Sequence, residues 1–380
     1  TYDCSAHLRV PGLLAGSIPS SPLYEYFPIG FLSIVEYLRG HGFSTRIVNL
    51  ATKSKGKRFR VEKFISSLKP LAFGIDLHWL VHADGALKTC EIVKRHHPEA
   101  PVILGGLSAS YYHRDLIRYP FVDYVLRGDS TEEPLVALLR EIERGGDLAH
   151  IPNLTWKRGQ EVRVNRLSYV PDRLDGVVNY RNLLSSVFKY KDLAGNLLTG
   201  VDWPVNFASM LIFCRGCLLK CATCGGSNWA LGRERLGLKE PEAIAEELSI
   251  VQSFSPFYVA IFGDIRQGDS NALLQAIKRK RIRNCLGFEL FWGADREFLR
   301  KISLACNRFQ IRMSPETQNE KVRMFFGKKY TNDSVERTIA WALDFGAEKV
   351  WLFFMIGLPH QTREEVRATL EWARALLDRF

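Results

Sequence analysis

The chain has 380 residues, 46% of them hydrophobic and 24% charged, and its formal net charge is +11. This length predicts two domains, and the composition excludes a chain dominated by disorder. No apolar run is long enough to cross a bilayer, and the opening residues TYDCSAHLRVPG lack the pattern of a signal peptide. Eight cysteines, half of them in one short cluster, favour a reducing compartment, so we expect a cytoplasmic protein.

The positive charge is compatible with nucleic acid or with an acidic partner. Basic stretches such as KSKGKRFR and KRKRIR lack the interleaved aromatic side chains on which nucleic-acid bases stack. We therefore expect no nucleic-acid partner, and we expect the protein to act as a monomer.

Helical and strand patterns alternate between about residue 28 and residue 144. The segment IGFLSIVEYLRGHG has a helical apolar face, whereas TRIVNL, LAFGIDL, PVILGG and DYVLRG have the composition of strands. This alternation predicts a doubly wound, Rossmann-like α/β domain over residues 1–150. No strand-helix unit precedes the first helix and no initiator methionine is present, so we expect a trimmed N-terminus.

The alternation stops over residues 151–205, which we interpret as a linker containing a hairpin. The hairpin is LTWKRGQEVRV, with its turn at Arg158 and Gly159. A second series of strands and helices occupies residues 206–380, with strands SMLIF, FYVAIFGD, LGFELFW, RFQIRMS and KVWLFFMIGLP. Five such units predict a partial β/α barrel, whose reactive groups gather at the carboxyl ends of the strands. A sixth strand is expected beyond Phe380, so the barrel is expected to be incomplete.

Four cysteines lie in the stretch CRGCLLKCATCGG, directly after the first barrel strand. Cys217, Cys221 and Cys224 have the spacing C-x3-C-x2-C, and three thiolates on one loop can hold three corners of a [4Fe–4S] cluster. Including Cys214 gives two C-x2-C pairs, which invites a zinc interpretation. Zinc ribbons separate such pairs by a dozen or more residues, and here only three intervene. The spacing therefore favours the cluster over a zinc site or a simple patch of thiols.

The same spacing at the same place resembles the radical S-adenosylmethionine (SAM) enzymes. The residues RGC, which end at Cys217, together with a doubly wound N-terminal domain, are similar to the cobalamin-binding branch of that superfamily, the class B methyltransferase type. The resemblance implies a [4Fe–4S] cluster with one open iron that binds SAM, and a cobalamin held by the N-terminal domain. Thr223 departs from the family pattern, which usually has an aromatic residue before the last cysteine.

Three further strand ends carry motifs that resemble SAM-binding segments of the family. IFGD ends the second barrel strand, RMSPET the fourth and MIGLP the fifth. Asp264 is a departure, because the family motif at the second strand has glutamate. The resemblance implies contacts to the SAM amino group, ribose and adenine from Gly263, Asp264, Ser314, Glu316, Ile356, Gly357 and Leu358.

The N-terminal domain carries glycines and hydroxyl side chains at its strand ends. Glycine permits the close backbone approach that a corrin or its nucleotide tail requires. The stretch DLHWLV approaches the cobalamin motif D-x-H-x-x-G but has Val81 at the glycine position. We therefore expect DLHW to line the lower corrin face without a cobalt–histidine bond, although similar glycines occur in other flavodoxin-like domains. The residues implied in cobalamin binding are Asp76, Leu77, His78, Trp79, Gly105, Gly106, Ser108, Ser110 and Gly128.

The resemblance implies methylation of an unactivated carbon, by way of a 5′-deoxyadenosyl radical and methylcobalamin. Rearrangement or cyclisation without methyl transfer, and a non-catalytic cobalamin or iron–sulfur sensor, stay open as alternatives. Methylthio transfer to tRNA is disfavoured, because the N-terminal domain has only Cys4 and Cys90 where a second cluster would need three cysteines. Expected partners are a flavodoxin-like or ferredoxin-like electron donor and a peptide, protein or small-molecule substrate.

Overall fold

The computed structural model describes residues 29–50, 53, 59–174, 176–179, 189–190, 209–219, 221–222, 224 and 236–380. None of the helices within these residues is long and apolar enough to cross a membrane. The chain divides into two compact units. The first comprises Thr1–Pro171, Val178–Phe207 and Asn228–Glu234, and the second comprises Asp172–Val177, Ala208–Ser227 and Arg235–Phe380.

A five-stranded sheet forms the centre of the first unit. Its strands follow one another in the order of the sequence, and the first three are parallel. The last two form an antiparallel hairpin that pairs with the third strand. The strands are β1 (Phe73–Asp76), β2 (Val102–Gly105), β3 (Tyr124–Leu126), β4 (Leu154–Arg158) and β5 (Glu161–Val164).

Helices cover both faces of this sheet, as a doubly wound fold requires. Val102 and Leu104 of β2 belong to one buried cluster and Ile103 to the other, because successive side chains of a strand point to opposite faces. The predicted α/β fold of this region is therefore confirmed. The helices are α1 (Ile29–Gly40), α2 (Val61–Ser66), α3 (Ala83–His96), α4 (Leu107–Tyr111), α5 (His113–Leu116) and α6 (Glu132–Arg144).

Two segments of the first unit differ from the sequence-based expectation. TRIVNL, which has the composition of a strand, has no regular secondary structure over residues 45–49. Its apolar side chains are nevertheless used, since Val48 packs against the buried cluster that contains Leu50. The hairpin interpreted as part of a linker instead extends the sheet, where Trp156 is only 6% exposed.

A second five-stranded sheet forms the centre of the second unit, and all of its strands are parallel. Their order is again that of the sequence, β6, β9, β10, β11 and β12, so each strand is joined to its neighbour through a helical connection. All five predicted strands are confirmed, and they form an open sheet in the described residues. The strands of this sheet are β6 (Ser209–Ile212), β9 (Val259–Phe262), β10 (Leu286–Leu290), β11 (Phe309–Glu316) and β12 (Lys349–Phe354). The short strands β7 (Cys214–Arg215) and β8 (Gly237–Leu238) form a separate antiparallel pair.

Side-chain caps begin most helices of the second unit. Asp269, Asp295, Asn319 and Thr331 each accept a hydrogen bond from a backbone N–H in the first turn of the following helix. Thr362 makes a reciprocal capping box with Glu365. Each cap therefore fixes where a strand-to-helix loop ends. The helices are α7 (Pro241–Gln252), α8 (Ser270–Arg279), α9 (Arg296–Ala305), α10 (Glu320–Phe326), α11 (Asn332–Asp344) and α12 (Arg363–Arg379).

Gly106 is the position at which the first unit tolerates a side chain least. Its φ is +112°, and a Cβ built there would lie 2.8 Å from backbone atoms of Leu77 and His78. We expect Gly106→Ala to lower the free energy of unfolding by about 3 kcal/mol, because backbone strain and overpacking add. Urea unfolding followed by circular dichroism measures this change.

Gly145→Ala is the matched control for that substitution. Gly145 also has a positive φ, +67°, but no atom outside its chain neighbours lies within 4 Å of the place that a Cβ would take. Its alanine variant should lose only about 1 kcal/mol, the cost of the left-handed conformation alone. Equal losses in the two variants would contradict the close approach of Gly106 to residues 77–78.

Candidate functional site

The carboxyl ends of the parallel strands gather the predicted residues of the second unit along one edge of its sheet. The cysteine loop follows β6, Gly263 and Asp264 follow β9, and Ser314 and Glu316 end β11. The segment Ile356–Leu358 follows β12, which pairs with β11. The fold therefore brings the four predicted motifs to a common edge.

The cysteine loop is held to this edge by contacts with helix α10. Ala222 N–H donates to the carbonyl of Phe326 at 2.8 Å, and Cys221 packs against Val322, Phe326 and Leu358. The thiol of Cys217 is half-buried and accepts a hydrogen bond from Leu219 N–H at 3.3 Å. Cys224 is exposed, and Thr223 lies outside the described residues.

Burial makes the thiolate forms of these cysteines unfavourable. Desolvation raises the pKa of Cys217 to about 11, and the neighbouring Cys221, Cys224 and Asp264 act in the same direction. The pKa of Cys221 is also raised, mainly by burial, while nearby Lys328 acts against the increase. The three predicted ligands thus lie within electrostatic reach of one another, and ionisation of Cys217 and Cys221 is favoured by added positive charge.

Iron ions would supply that positive charge, so the three thiols fit an iron–sulfur cluster by their chemistry. Within the described residues, no three His, Cys, Asp or Glu side chains are already grouped around a place for a metal ion. Thiolates are the usual ligands of such clusters, and backbone N–H groups commonly donate to their sulfurs. Cys214 differs from the other three, because it belongs to the short strand β7. Its sulfur accepts a hydrogen bond from the side chain of Gln267 at 3.4 Å.

Asp264 is fully buried, which revises the expectation that it contacts SAM directly. Its carboxylate accepts hydrogen bonds from the backbone and side chain of Arg266 and from Phe291 N–H. Arg266 also donates to the carbonyls of Trp292 and Gly293. Both oxygens of Asp264 are therefore occupied, and the residue ties the end of β9 to the end of β10.

A cavity of about 230 Å³ lies between the ends of strands β9 to β12. Glu289 lines it and accepts a hydrogen bond from Gly263 N–H at 3.0 Å, and burial raises the pKa of its carboxyl group. Arg312 also lines the cavity, with its guanidinium 5.0 Å from the centre of the Tyr258 ring. The full lining is Ile261, Phe262, Glu289, Arg312, Ser314 and Phe353.

Buried cations hold the end of β11 in an unusual conformation. Glu316 has a φ of +65°, and its carboxylate is paired with Lys328. Lys328 also donates to the carbonyl of Ser314 at 2.6 Å, so it connects both predicted ribose-binding residues. The fully buried Arg323 donates to the carbonyls of Pro315 and Tyr330. The backbone of Ser314 is thereby fixed while its side chain stays in the cavity wall.

The segment after β12 is a tight turn closed by Gln361. The side-chain oxygen of Gln361 accepts from Gly357 N–H at 2.8 Å, and its amide donates to the carbonyl of Met355. Gly357 has a φ of +86°, Leu358 is buried beside Cys221, and Ile356 is 79% exposed. An exposed apolar side chain beside the cysteine loop is available for contact with a flat ring.

The predicted cobalamin residues meet at the carboxyl ends of β1, β2 and β3 in the first unit. Asp76 and Gly105 are direct partners in the β1–β2 ladder, and Leu77 N–H donates to the carbonyl of Gly105 at 2.8 Å. Gly106 brings its backbone against residues 77–78. Gly128 follows β3 and has a φ of +108°.

Two serines connect these strand ends. Ser108 Oγ donates to the carbonyl of His78 at 3.0 Å. Ser110 Oγ donates to the carbonyl of Gly106 and accepts from Gly128 N–H, both at 2.9 Å. The two hydroxyls thus support the loops from which a ligand would be bound.

An exposed apolar surface lies beside this edge. Trp79 is 60% exposed, and its ring packs edge-on against His78 at 4.8 Å. Leu80, Val81, Tyr111 and Tyr112 are also exposed. Exposed rings at the carboxyl ends of the strands fit a large flat ligand such as a corrin, which would cover them.

Several residues of this site are not apparent in the sequence. Glu289 and Arg312 lie inside strands, whose successive side chains point to opposite faces of the sheet. Which of these faces lines the cavity is known only once the sheet is known. Arg323 lies within α10 and Lys328 shortly after it, and both bind the nearby end of β11. Gln267 acts on a loop 49 residues earlier in the sequence. The only signal for them is the presence of polar side chains in short segments next to recognised motifs.

Comparison with protein families gives two matches. Residues 20–139 match the B12 binding domain, and residues 211–373 match the radical SAM superfamily. Their order is the order of the two compact units, and the second match includes the whole cysteine loop.

Two curated relatives are named as methyl-transferring proteins. The hopanoid C-3 methylase of Methylococcus capsulatus is 25% identical over 67% of this chain and 46% of its own length. An uncharacterized methyltransferase of Pyrococcus horikoshii is 26% identical over 83% of this chain and 66% of its own length. The chain therefore spans about half to two thirds of these relatives.

Solved structures share the fold. The radical SAM methyltransferase TsrM from Kitasatospora setae, with cobalamin and a [4Fe–4S] cluster bound, has a TM-score of 0.76 at 18% identity, covering 93% of this chain and 68% of TsrM. The cobalamin-dependent SAM radical enzyme OxsB, with aqua-cobalamin bound, has a TM-score of 0.67 at 12% identity, covering 95% of this chain and 50% of OxsB. The chain thus carries a match to a B12 binding domain followed by a match to the radical SAM superfamily, on a fold similar to that of these two solved proteins.

Proposed function

We propose that this protein is a cobalamin-dependent radical SAM methyltransferase that methylates an unactivated carbon. The observation that carries the proposal is the meeting of the cysteine loop with three SAM-type strand ends in a chain that also has a B12 binding domain. When bound, the cluster and SAM supply a radical that removes a substrate hydrogen, and cobalamin supplies the methyl group.

The second unit would bind the cluster and SAM through its strand ends. Cys217, Cys221 and Cys224 hold the cluster in this proposal. The SAM site comprises Gly263, Ser314, Glu316 and the Ile356–Leu358 turn, with Asp264 supporting Gly263 from behind. Glu289 accepts from Gly263 N–H and Lys328 is paired with Glu316, so a buried charged side chain fixes the end of β9 and another fixes the end of β11.

The first unit would bind cobalamin at the edge formed by β1, β2 and β3. Asp76 to Trp79 line the lower corrin face, and Gly105, Gly106 and Gly128 admit close approach of the backbone. Ser108 and Ser110 hold these loops in place through the hydrogen bonds described above. His78 packs against Trp79, which supports a role in stacking over a role as a cobalt ligand.

The cavity of the second unit supports a substrate with both polar and apolar parts. Glu289 and Arg312 offer opposite charges, while Phe262 and Phe353 offer apolar contact. A small molecule or a single side chain of a peptide matches its volume of about 230 Å³.

The reductant in this proposal is a flavodoxin-like or ferredoxin-like protein, for which a chain with a net charge of +11 would have electrostatic affinity. None of the seven cysteines that the structure describes forms a disulfide. A reducing cytoplasm as the compartment is part of the same proposal and rests on the cysteine usage of the sequence.

The two relatives named as a methylase and a methyltransferase favour methyl transfer over rearrangement or sensing. The experiment is anaerobic incubation of the reduced, cobalamin-loaded protein with SAM labelled with carbon-13 on its methyl group, together with a small-molecule extract of the source organism. We expect a product heavier than its precursor by one labelled methyl group. A product isomeric with its precursor would support rearrangement, and unlabelled extract components alone would contradict catalysis.

The three cluster cysteines should be separable from Cys214 by iron content. We expect Cys217→Ala, Cys221→Ala and Cys224→Ala each to retain about tenfold less iron after anaerobic reconstitution, because each removes one protein ligand of the cluster. Iron and sulfide analysis after gel filtration measures this loss.

Cys214→Ala is the control from the same stretch of sequence and should retain most of the iron that the three ligand variants lose. Its sulfur contacts Gln267 and lies against Gly263, so an alanine leaves a small gap without removing a ligand. Iron loss in Cys214→Ala equal to that of the other three would support the four-cysteine zinc-like arrangement instead.

Trp79 should contribute strongly to cobalamin binding. Covering an exposed indole contributes about 1.5–3 kcal/mol, which is about tenfold to a hundredfold in affinity. Trp79→Ala should therefore weaken cobalamin binding by at least about tenfold in an absorbance titration. Tyr119→Ala, another exposed aromatic that lies before β3 at the opposite edge, should bind cobalamin unchanged. Equal affinities of the two variants would contradict the assigned edge.

A further inference from the structure

Gln267 makes contacts that connect the turn after β9 to the cysteine loop. It ends a short 3-10 helix (Ile265–Gln267), and its side chain is only 8% exposed. A buried amide must find hydrogen-bond partners, because an unpaired one costs free energy. Both of its partners lie on the loop that carries the cluster cysteines.

The two hydrogen bonds of Gln267 bracket Cys217. Its side-chain oxygen accepts from Leu218 N–H at 2.9 Å, directly after that cysteine. Its side-chain nitrogen donates to the sulfur of Cys214 at 3.4 Å, three residues before it. Leu219 N–H then donates to the sulfur of Cys217 at 3.3 Å. A single side chain thus binds the backbone after the first predicted ligand and a side chain before it.

Gln267 can act in this way because its own position is fixed. Its N–H donates to the carbonyl of Asp264 at 2.9 Å, and the carboxylate of Asp264 is bonded to Arg266 and to Phe291 N–H. The following Gly268 packs so tightly that a Cβ would lie 2.8 Å from the ring of Phe213. The turn is therefore attached to β10 and to the residue that precedes Cys214.

Gly263 makes room for the other partner of Gln267. Its φ is +95°, and a Cβ built there would lie 2.5 Å from the sulfur of Cys214. The sulfur thus occupies the space that any other residue at position 263 would fill. This packing assigns Cys214 a structural place that needs no metal.

We propose that Gln267 is a positioning residue that sets the geometry of Cys217, with Cys214 as its buried partner. The inference rests on the proposed function, because Cys217 is a cluster ligand only within that proposal. Groups that orient ligands commonly change metal affinity by about tenfold to a hundredfold when removed. Hydrogen bonds near cluster sulfurs also affect the reduction potential.

The test compares Gln267→Met with Gln252→Met in the anaerobically reconstituted full chain. Methionine keeps the length of the side chain and removes both hydrogen bonds. We expect Gln267→Met to lose iron to a chelator about tenfold faster than the unchanged protein and to shift the reduction potential and EPR spectrum of the cluster. Gln252 is the matched control, since it also accepts a backbone N–H, from Arg283, but lies at the end of α7.

A second variant separates positioning from folding. Gln267→Glu keeps an oxygen for Leu218 N–H and loses the amide donor to Cys214. Its rate of iron loss should therefore lie between the rates of Gln267→Met and Gln252→Met. Circular dichroism melting should be the same for Gln267→Glu and Gln252→Met.

The outcomes distinguish this inference from the proposed function. If the unchanged protein binds no cluster, the proposed function fails and the inference fails with it. If the unchanged protein binds a cluster and both variants of Gln267 match Gln252→Met in chelation rate and reduction potential, the inference is overturned while the proposed function stands. If Gln267→Met does not fold, an unaltered cluster in Gln267→Glu still overturns it.

Discussion

The close approach of Gly263 to the sulfur of Cys214 is the contact on which the site of the second unit depends. A glycine with φ of +95° lets β9 end directly against the start of the cysteine loop. From that contact, Gln267 reaches Leu218, Glu289 reaches Gly263 N–H, and Asp264 joins the same turn to β10. A side chain at position 263 would separate the loop from the strand ends, and the remaining residues would lose their common edge.

The first unit also brings two strand ends together at a glycine with positive φ. At Gly106 the backbone after β2 lies against residues 77–78, so the loops after β1 and β2 share one edge. Ser108 and Ser110 then connect these loops to each other and to Gly128. In both units a glycine with positive φ removes bulk where two strand ends meet, and polar side chains behind it fix the loops. The positions of the loops are therefore set by supporting residues behind them, and only a few groups need to face a ligand.

The sequence alone predicts the local features of this protein well, but not the residues that support the site. Cysteine spacing identified the loop, and apolar runs bounded by turns identified all five strands of the second unit, because these signals are contained in short segments.

The prediction of a strand at TRIVNL was wrong, since its apolar residues pack into the core without joining a ladder. Asp264 was expected to face a ligand, yet its carboxylate binds Arg266, two residues later, and Phe291 N–H, which reaches it only in the folded sheet. Glu289 and Arg312 occupy ordinary strand positions, and their common cavity depends on the order of β9 to β12. Such long-range pairs have no signature in one sequence, because a polar residue that supports the site looks the same as any other polar residue in a strand or loop.

The central claim is that the cysteine loop and the strand ends together make this protein a generator of an organic radical from SAM. The most direct measurement is the amount of 5′-deoxyadenosine formed when the reduced, cluster-loaded protein is incubated with SAM, with Cys221→Ala as the control. The account predicts 5′-deoxyadenosine from the unchanged protein and none from the control. Equal amounts from the two proteins would contradict it and would leave cofactor binding without radical chemistry.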